Sequence, residues 1–502
     1  MYTICGYAGL PLLTGVATLV CAGFCVLKSQ KGRPGPVKVL DTDTQAEQMM
    51  EDRISQLPDK VISSIISRLL TKDAVRTSIL SRRWRHVYTI IDQVRFTCYD
   101  KLSSAACCPI LGEEKSRQLQ RKFVQGVDTF LQNHSGSKVS SFELVCCFRG
   151  RHMDSFRKWM NFVGTSGVEK LTLEYCCLNY MLSNGPHVFS TDFLTGASSV
   201  KHLWLQCGSF QTPNKNALEV LEFDNVSFTS DAVGCMLSNC SSLRLLNLRY
   251  CSVPSKLQIH GPDLQLKCLI IYYCKDVEEI DLSASNLIDF EIFSPNIPKL
   301  SFSHVPLLQS VVIEYSRKQA TSPQVLGKLA KDLPQLESMV FTTSASFFEE
   351  LKLDRVISKL SNLRRLVLML EDQHKLDLLE LTTFLDACPL LHKFQLSMPF
   401  QGTFNRKKAK ERMGRRFTPL KVLEFNGFRE AESEYDFILY ILKTVASLER
   451  LLISRSTLWY EPRLRRWTPS LANPLNPKLR HGIIQKRLQG QAVSNDVEII
   501  IS

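Results

Sequence analysis

The chain lacks every common catalytic signature. It has no GxSxG elbow, Walker phosphate loop, HExxH or GxGxxG, and no cysteine paired with a histidine in a nucleophile motif. The hydrolase, nucleotide-binding, zincin and dinucleotide chemistries that depend on them are therefore without a foothold. It also lacks any CxxC pair or Cys/His cluster at zinc-finger spacing, so neither a metal nor another cofactor is expected. A disulfide framework is equally unsupported. The 17 cysteines are scattered over 502 residues and include the adjacent pairs Cys107-Cys108, Cys146-Cys147 and Cys176-Cys177. They read as reduced thiols of a cytoplasmic or nuclear protein.

Charge is missing from one end. Met1 to Leu27 contain no charged residue, although Gly6, Gly9, Pro11, Gly15 and Gly23 dilute the apolar content. Residues 4–27 are long enough, at about 1.5 Å per residue, to cross a hydrocarbon core of about 30 Å. Lys28, Lys31, Arg33 and Lys38 follow, so an inserted run would leave the remainder on the cytosolic side. Two readings stay open: a single N-terminal membrane anchor, or a leader that nothing downstream requires. Residues 29–50 read as linker.

What is present is a globular composition, 44% hydrophobic and 22% charged, on a chain too long for one ordinary core. Two or more domains or a repeat array are expected. The net charge of +13 is concentrated at residues 406–416, which contribute +6, and 455–487, which contribute +7. The first run suits a nuclear localisation signal, a nucleic-acid patch or a solvated face. No nucleic-acid module accompanies it, so nucleic acid is not the expected partner.

From Leu57 to Tyr88, Val61, Ile62, Ile65, Ile66 and Leu69 recur at helical spacing behind Pro58. Thr71 is placed to cap a second helix bearing Ala74, Val75, Ile79 and Leu80, and Ser81 a third bearing Trp84 and Val87. Three such short helices cannot bury all of this apolar surface among themselves, so part of it should face a partner. Lys60, Arg68, Lys72, Arg76, Arg82, Arg83 and Arg85 suggest an acidic partner surface.

The run Leu57-Pro58, the Ile65/Leu69 pair, Ala74-Val75-Arg76-Thr77-Ser78 and Leu80-Ser81-Arg82-Arg83-Trp84-Arg85 resembles a plant F-box. The resemblance implies docking onto a Skp-type adaptor, and through it a cullin, in a ubiquitin ligase. Leu57, Pro58, Ile66, Leu69, Val75, Leu80 and Trp84 would form the contact and packing set.

The middle of the chain is self-similar. The template L-x-x-L-x-L-x-x-N/C-x-L is met in full from Val168 through Leu171, Leu173 and Cys176 to Leu178, and from Leu243 through Leu246, Leu248 and Cys251 to Val253. Partial copies begin at Val200, Leu218, Leu266, Leu287, Leu308, Leu336, Leu363, Leu391, Leu420 and Leu448; the last five begin 27 to 29 residues apart. Each copy predicts a short strand with inward Leu side chains and a return by helix or irregular chain, stacked into an α/β leucine-rich-repeat solenoid with parallel strands on its concave face. Cys176, Cys251 and Cys274 would fill a small inward site held by Asn in other such repeats.

Between the inward residues lie Lys170, Thr172, Glu174, His202, Trp204, Gln206, Glu222, Asp224, Asn247, Arg249, Ile270 and Tyr272 on the concave face. Trp204, Glu222, Arg249 and Tyr272 are the candidates for binding an unidentified protein target. Residues 417–457 form one more strand, helix and strand. The spacing of Leu420, Glu424 and Phe428 resembles the FBD region of plant F-box proteins, without its leading Cys.

The domain reading is leader and linker (1–50), F-box (51–97), connecting and capping segment (98–160), solenoid (161–416), FBD-like repeat (417–457) and a basic, mostly irregular tail (458–502), with a strand allowed at 497–501. The function expected from the resemblance is a non-enzymatic, substrate-recruiting adaptor of a ubiquitin ligase. The alternative is a repeat protein acting outside a ligase, tethered to a membrane through 4–27 or associated with nucleic acid.

Overall fold

The Leu pairs fall into a single register. Leu171 is level with Leu203, Leu203 with Leu221, Leu221 with Leu246 and Leu246 with Leu269, and the row continues through Phe290, Val311, Met339, Leu366, Phe394, Leu423 and Leu451 to Ile499. A second row two residues on, from Leu173 to Ile501, is level in the same way. Both rows pack into one continuous apolar core. Because side chains alternate across a strand, a one-residue slip would turn every pair outward, and this fixes the register.

The computed structural model describes residues 57–79, 82–98, 113–146, 152–175, 196–210, 217–229, 231–261, 263–294, 298–315, 323–343, 360–370, 378–379, 381–382, 385, 388–398, 419–461, 466–469, 480–494 and 496–502. Its main element is a 15-stranded parallel sheet. The twelve repeat copies found in the sequence are twelve of those strands, from Lys170–Tyr175 to Arg450–Ser454. The sheet begins earlier than the repeat template does, with β1 (Gln93–Thr97) and β2 (Ser141–Cys146). The segment read as a connector is thus built as solenoid. Its helices Glu113–Asn133 and Met153–Thr165 are joined by the Trp159 indole N–H donating to Asp128 at 2.7 Å.

The return path follows repeat length. Copies separated by about 28 residues have room for a helix, as at Pro323–Asp332 and Glu432–Thr444. Copies at Leu243, Leu266, Leu287 and Leu308 are only 21 to 23 residues apart. Here the return is extended, and Lys256–His260, Glu279–Ser283 and Lys299–His304 form a second, three-stranded parallel sheet. A strand covers about twice the distance of a helix per residue, so a short return can reach the next copy only when extended.

The short helices Asp59–Ile66, Thr71–Arg76 and Arg82–Val87 rest on the first strand. Thr71 does not cap its helix: Leu70 holds the cap position, and the buried Thr71 hydroxyl accepts the Arg95 backbone N–H of β1 at 2.8 Å. Two of the basic residues expected to meet a partner are used internally. Arg83 donates to the Leu57 carbonyl at 2.5 Å and to Asp59 at 2.7 Å, and Arg76 to Asp73 at 3.0 Å.

The tail is not irregular where it is described. Glu498–Ile501 pairs with Arg450–Ser454 as the last strand of the main sheet, covering an edge that would otherwise be open. The helix His481–Leu488 buries Ile484 and Leu488. Leu458–Glu461 and Arg466–Pro469 form an antiparallel hairpin. The strand allowed at 497–501 is present, while the prolines and arginines of this stretch hid the helix and the hairpin, which depend on distant parts of the chain. Residues 4–27 and the basic run 406–416 lie outside the described residues. Among those described, no helix is long and apolar enough to cross a membrane.

Candidate interaction surfaces

At the F-box end the helical period divides the apolar residues between an inward and an outward set. Ile62 and Ile66 are four apart and fully buried, and Trp84 and Val87 join them in the core. Of the seven positions expected to meet the adaptor, Ile66 and Trp84 are thus core residues. Leu57, Leu69 and Val75 are half-buried against that core, Pro58 is exposed, and Leu80 lies outside the described residues. Two outward residues were missed: Ile79 is 76% exposed and Val61 42%. Periodicity placed both on apolar helix faces without separating the residues that turn inward from those that turn out. Ile79 sits in a 3₁₀ turn after Arg76, where the helical repeat no longer predicts direction.

On the sheet's other face, four adjacent strands bring the expected target-binding residues together. These are His202–Ser209, Val220–Ser227, Leu245–Arg249 and Cys268–Tyr272. Trp204 is level with Glu222, and Arg249 with Tyr272. The Arg249 guanidinium lies over both aromatic rings, 5.7 Å from the Trp204 centroid and 5.6 Å from that of Tyr272, and 3.8 Å from Asp224. Glu222 takes hydrogen bonds from His202 at 2.9 Å and Asn247 at 3.2 Å.

The exposure expected of this row is reduced. Arg249 is only 8% exposed, and Gln206, Asp224, Asn247 and Ile270 are buried. Strands about 4.8 Å apart let long side chains on neighbouring strands pack against one another, so a position facing away from the core need not face water. Burial also pushes the Tyr272 hydroxyl well above its ordinary pKa, with Tyr250 and Tyr273 adding to the effect.

Tyr250, just past the end of the strand that carries Arg249, is 47% exposed. It lies 5.9 Å from Tyr273 in a stacked pair, and both touch Tyr272. Both adopt left-handed backbone, φ 50° and 51°, as do Cys207 and Asn225 in preceding repeats. That conformation is strained for a bulky side chain; Tyr250 and Tyr273 adopt it just past the ends of their strands, whereas Cys207 and Asn225 lie within theirs. The signal was present in the sequence: Tyr-Cys recurs at Tyr175-Cys176, Tyr250-Cys251 and Tyr273-Cys274.

Beneath those strand ends the Cys251 thiol donates to the Phe223 carbonyl of the preceding repeat at 3.7 Å, and Cys274 to that of Leu248 at 3.5 Å. Both thiols are buried, and burial raises the Cys251 thiol well above its ordinary pKa. Cys207 and Cys388 are pushed up to about 12 by the same cause. Such thiols stay protonated and act as small hydrogen-bonded core residues. Cys176 lies outside the described residues. Among the described residues no three His, Cys, Asp or Glu side chains form a group fit for a metal ion.

A sheet with this register, entered through three short helices, is a leucine-rich-repeat solenoid carrying an F-box. The leucine-rich-repeat domain model described for At1g61320/AtMIF1 matches residues 130–466, and the F-box domain model matches residues 54–87. The chain belongs to the plant F-box/leucine-rich-repeat family. Among its Arabidopsis thaliana relatives, F-box/LRR-repeat protein At3g59200 is 26% identical over 87% of this chain and 89% of its own, and At3g59210 is 26% identical over 80% and 88%. F-box/LRR-repeat protein At5g02910 is also 26% identical, but the match spans only 55% of this chain and 54% of that relative. The matched repeat region runs without a break through residues 417–457, so the strand, helix and strand there are one further turn of the solenoid.

Proposed function

We propose that the chain is the substrate-recruiting adaptor of a Skp, cullin and F-box ubiquitin ligase. Its F-box docks a Skp-type adaptor, and its repeat sheet offers Trp204, Glu222, Arg249 and Tyr272 to a protein target. Ubiquitin transfer is left to partner enzymes, and the site of action is cytoplasm, nucleus or both. The observation that carries the reading is the outward apolar set Pro58, Val61 and Ile79 on helices matched as an F-box. Exposed apolar residues on an otherwise packed element mark a protein contact.

The test is capture of a recombinant plant Skp-type adaptor by the full chain. Binding is expected for the wild type and lost in Ile79→Glu and in the Leu57→Ala, Pro58→Ala double variant, each still folded by circular dichroism at the assay temperature. Adaptor capture by the two variants at wild-type strength would overturn the assignment.

A further inference from the structure

The sheet face opposite the Leu rows is not uniform. On the strands Asp289–Ser294, Ser310–Tyr315, Ser338–Thr343 and Arg365–Leu370, the outward positions become apolar: Phe293, Val312, Val340 and Val367 form a buried cluster separate from the main core. The fifth buried member of that cluster is Tyr460, which comes from the C-terminal hairpin. Its ring stacks on Phe293 at 4.7 Å with planes 16° apart and packs against Trp467 across the hairpin at 5.1 Å. Its hydroxyl donates to the Glu291 carboxylate, 169 positions away in sequence. The Leu458 N–H adds a bond to the Ser397 hydroxyl at 3.3 Å.

An isolated two-stranded hairpin is marginal in water, so this one owes its order to the face on which it sits. That face accepts an aromatic ring by stacking and offers one carboxylate to the group at its far end. Tyrosine satisfies both demands at once; phenylalanine would leave Glu291 without that donor.

We propose that this apolar slot is a tyrosine-recognising part of the target-binding face, and that the hairpin strands Leu458–Glu461 and Arg466–Pro469 occupy it as an intramolecular stand-in which a target must displace. The partner it fits is a polypeptide segment presenting a tyrosine with a free hydroxyl. The inference deepens the reading of the sheet face as the target site and rests on it. The hairpin competes at high effective concentration because it is part of the same chain, so a weakly binding segment is excluded and only a well-matched one enters.

The experiment uses the full chain and, as probe, a fluorescent synthetic peptide of its own residues 457–469, followed by anisotropy. In the Tyr460→Ala, Trp467→Ala double variant the internal hairpin loses both anchoring rings. This variant is expected to bind the peptide saturably, at least about tenfold more tightly than the wild type, whose own hairpin holds the slot. Adding Val340→Arg should abolish binding, and a peptide with Phe in place of its tyrosine should bind roughly tenfold more weakly.

Peptide binding of equal strength by wild type and double variant would overturn the proposal, as would no binding by a double variant whose circular dichroism matches the wild type. Should the double variant fail to fold, Tyr460→Phe decides: it keeps the stack and loses the Glu291 bond, so peptide uptake above wild type supports the slot and uptake equal to wild type overturns it. Adaptor capture run on the same proteins separates this outcome from failure of the ligase reading, because the slot and the F-box share no residue.

Discussion

At the amino end of the array, helices 59–87 leave Ile79 and Val61 in water while their other faces pack on the first strand. At the carboxyl end the chain folds back on itself. A last strand covers the sheet edge, the helix His481–Leu488 buries Ile484 and Leu488 beside Glu432–Thr444, and the hairpin lies on the sheet face. Both ends have apolar surface that the repeat itself cannot bury. One end leaves it in water, and the other covers it with its own residues. Apolar surplus alone therefore does not identify a docking site; what separates the two cases is whether a later segment of the same chain reaches the surface.

The largest expected effect contrasts a side chain in each end. Phe428 is fully buried, edge-on to Phe425 at 5.4 Å and Tyr435 at 5.3 Å. Phe428→Ala should lower unfolding free energy by about 3–5 kcal/mol, since both burial and a filled cavity are lost. Ile79→Ala should change it by less than about 0.5 kcal/mol. Urea unfolding of the two variants measures the contrast. A large loss at Ile79 would mean that the F-box face is covered after all and would erase the distinction between the ends.

How far this contrast could be read beforehand depends on range. The strand positions were legible because the inward residues recur in every copy, and a period needs no knowledge of what lies elsewhere. The F-box helices were legible as elements, but not the outward turn at Ile79, which departs from the helical period. The grouping around Arg249 follows from strand register, which puts Tyr272 on the strand beside it and Trp204 two strands away on the other side. The burial of Arg249 was not legible, since that depends on three-dimensional packing between strands. The hairpin was missed altogether: Tyr460 and Trp467 sit among prolines and arginines, and their partners Phe293 and Glu291 lie more than a hundred positions earlier.

A smaller effect comes from a carboxylate sealed into the carboxyl end. Glu434 is buried near the start of its helix, where it accepts the Arg429 N–H at 2.8 Å and the Ala431 N–H at 3.0 Å. Burial outweighs these bonds and pushes its pKa up to about 7 from 4.5. The folded state therefore favours the neutral acid. Its stabilisation is complete below pH 4.5 and is lost as pH rises through 7, a change on the order of 3 kcal/mol by pH 8. Thermal unfolding from pH 5 to 8 should show this decline, and Glu434→Gln should flatten it. A slope that survives the substitution would place the titrating group elsewhere and leave the carboxyl end without this pH sensitivity.

The smallest effect tests how the tail helix is held against the last repeat. Arg487 donates to both carboxylate oxygens of Glu432, and its guanidinium lies 3.8 Å from the Tyr435 ring centroid. The ion pair is partly exposed and so contributes little, while contact with the ring is weakly sensitive to salt. Arg487→Ala should cost about 1 kcal/mol at low ionic strength. The difference from wild type should shrink at 1 M salt without vanishing, because screening removes the pair with Glu432 and leaves the ring contact. A difference that disappears completely would assign the attachment to charge alone. The carboxyl end would then be closed by a contact as easily opened as the F-box face is exposed, narrowing the contrast between them.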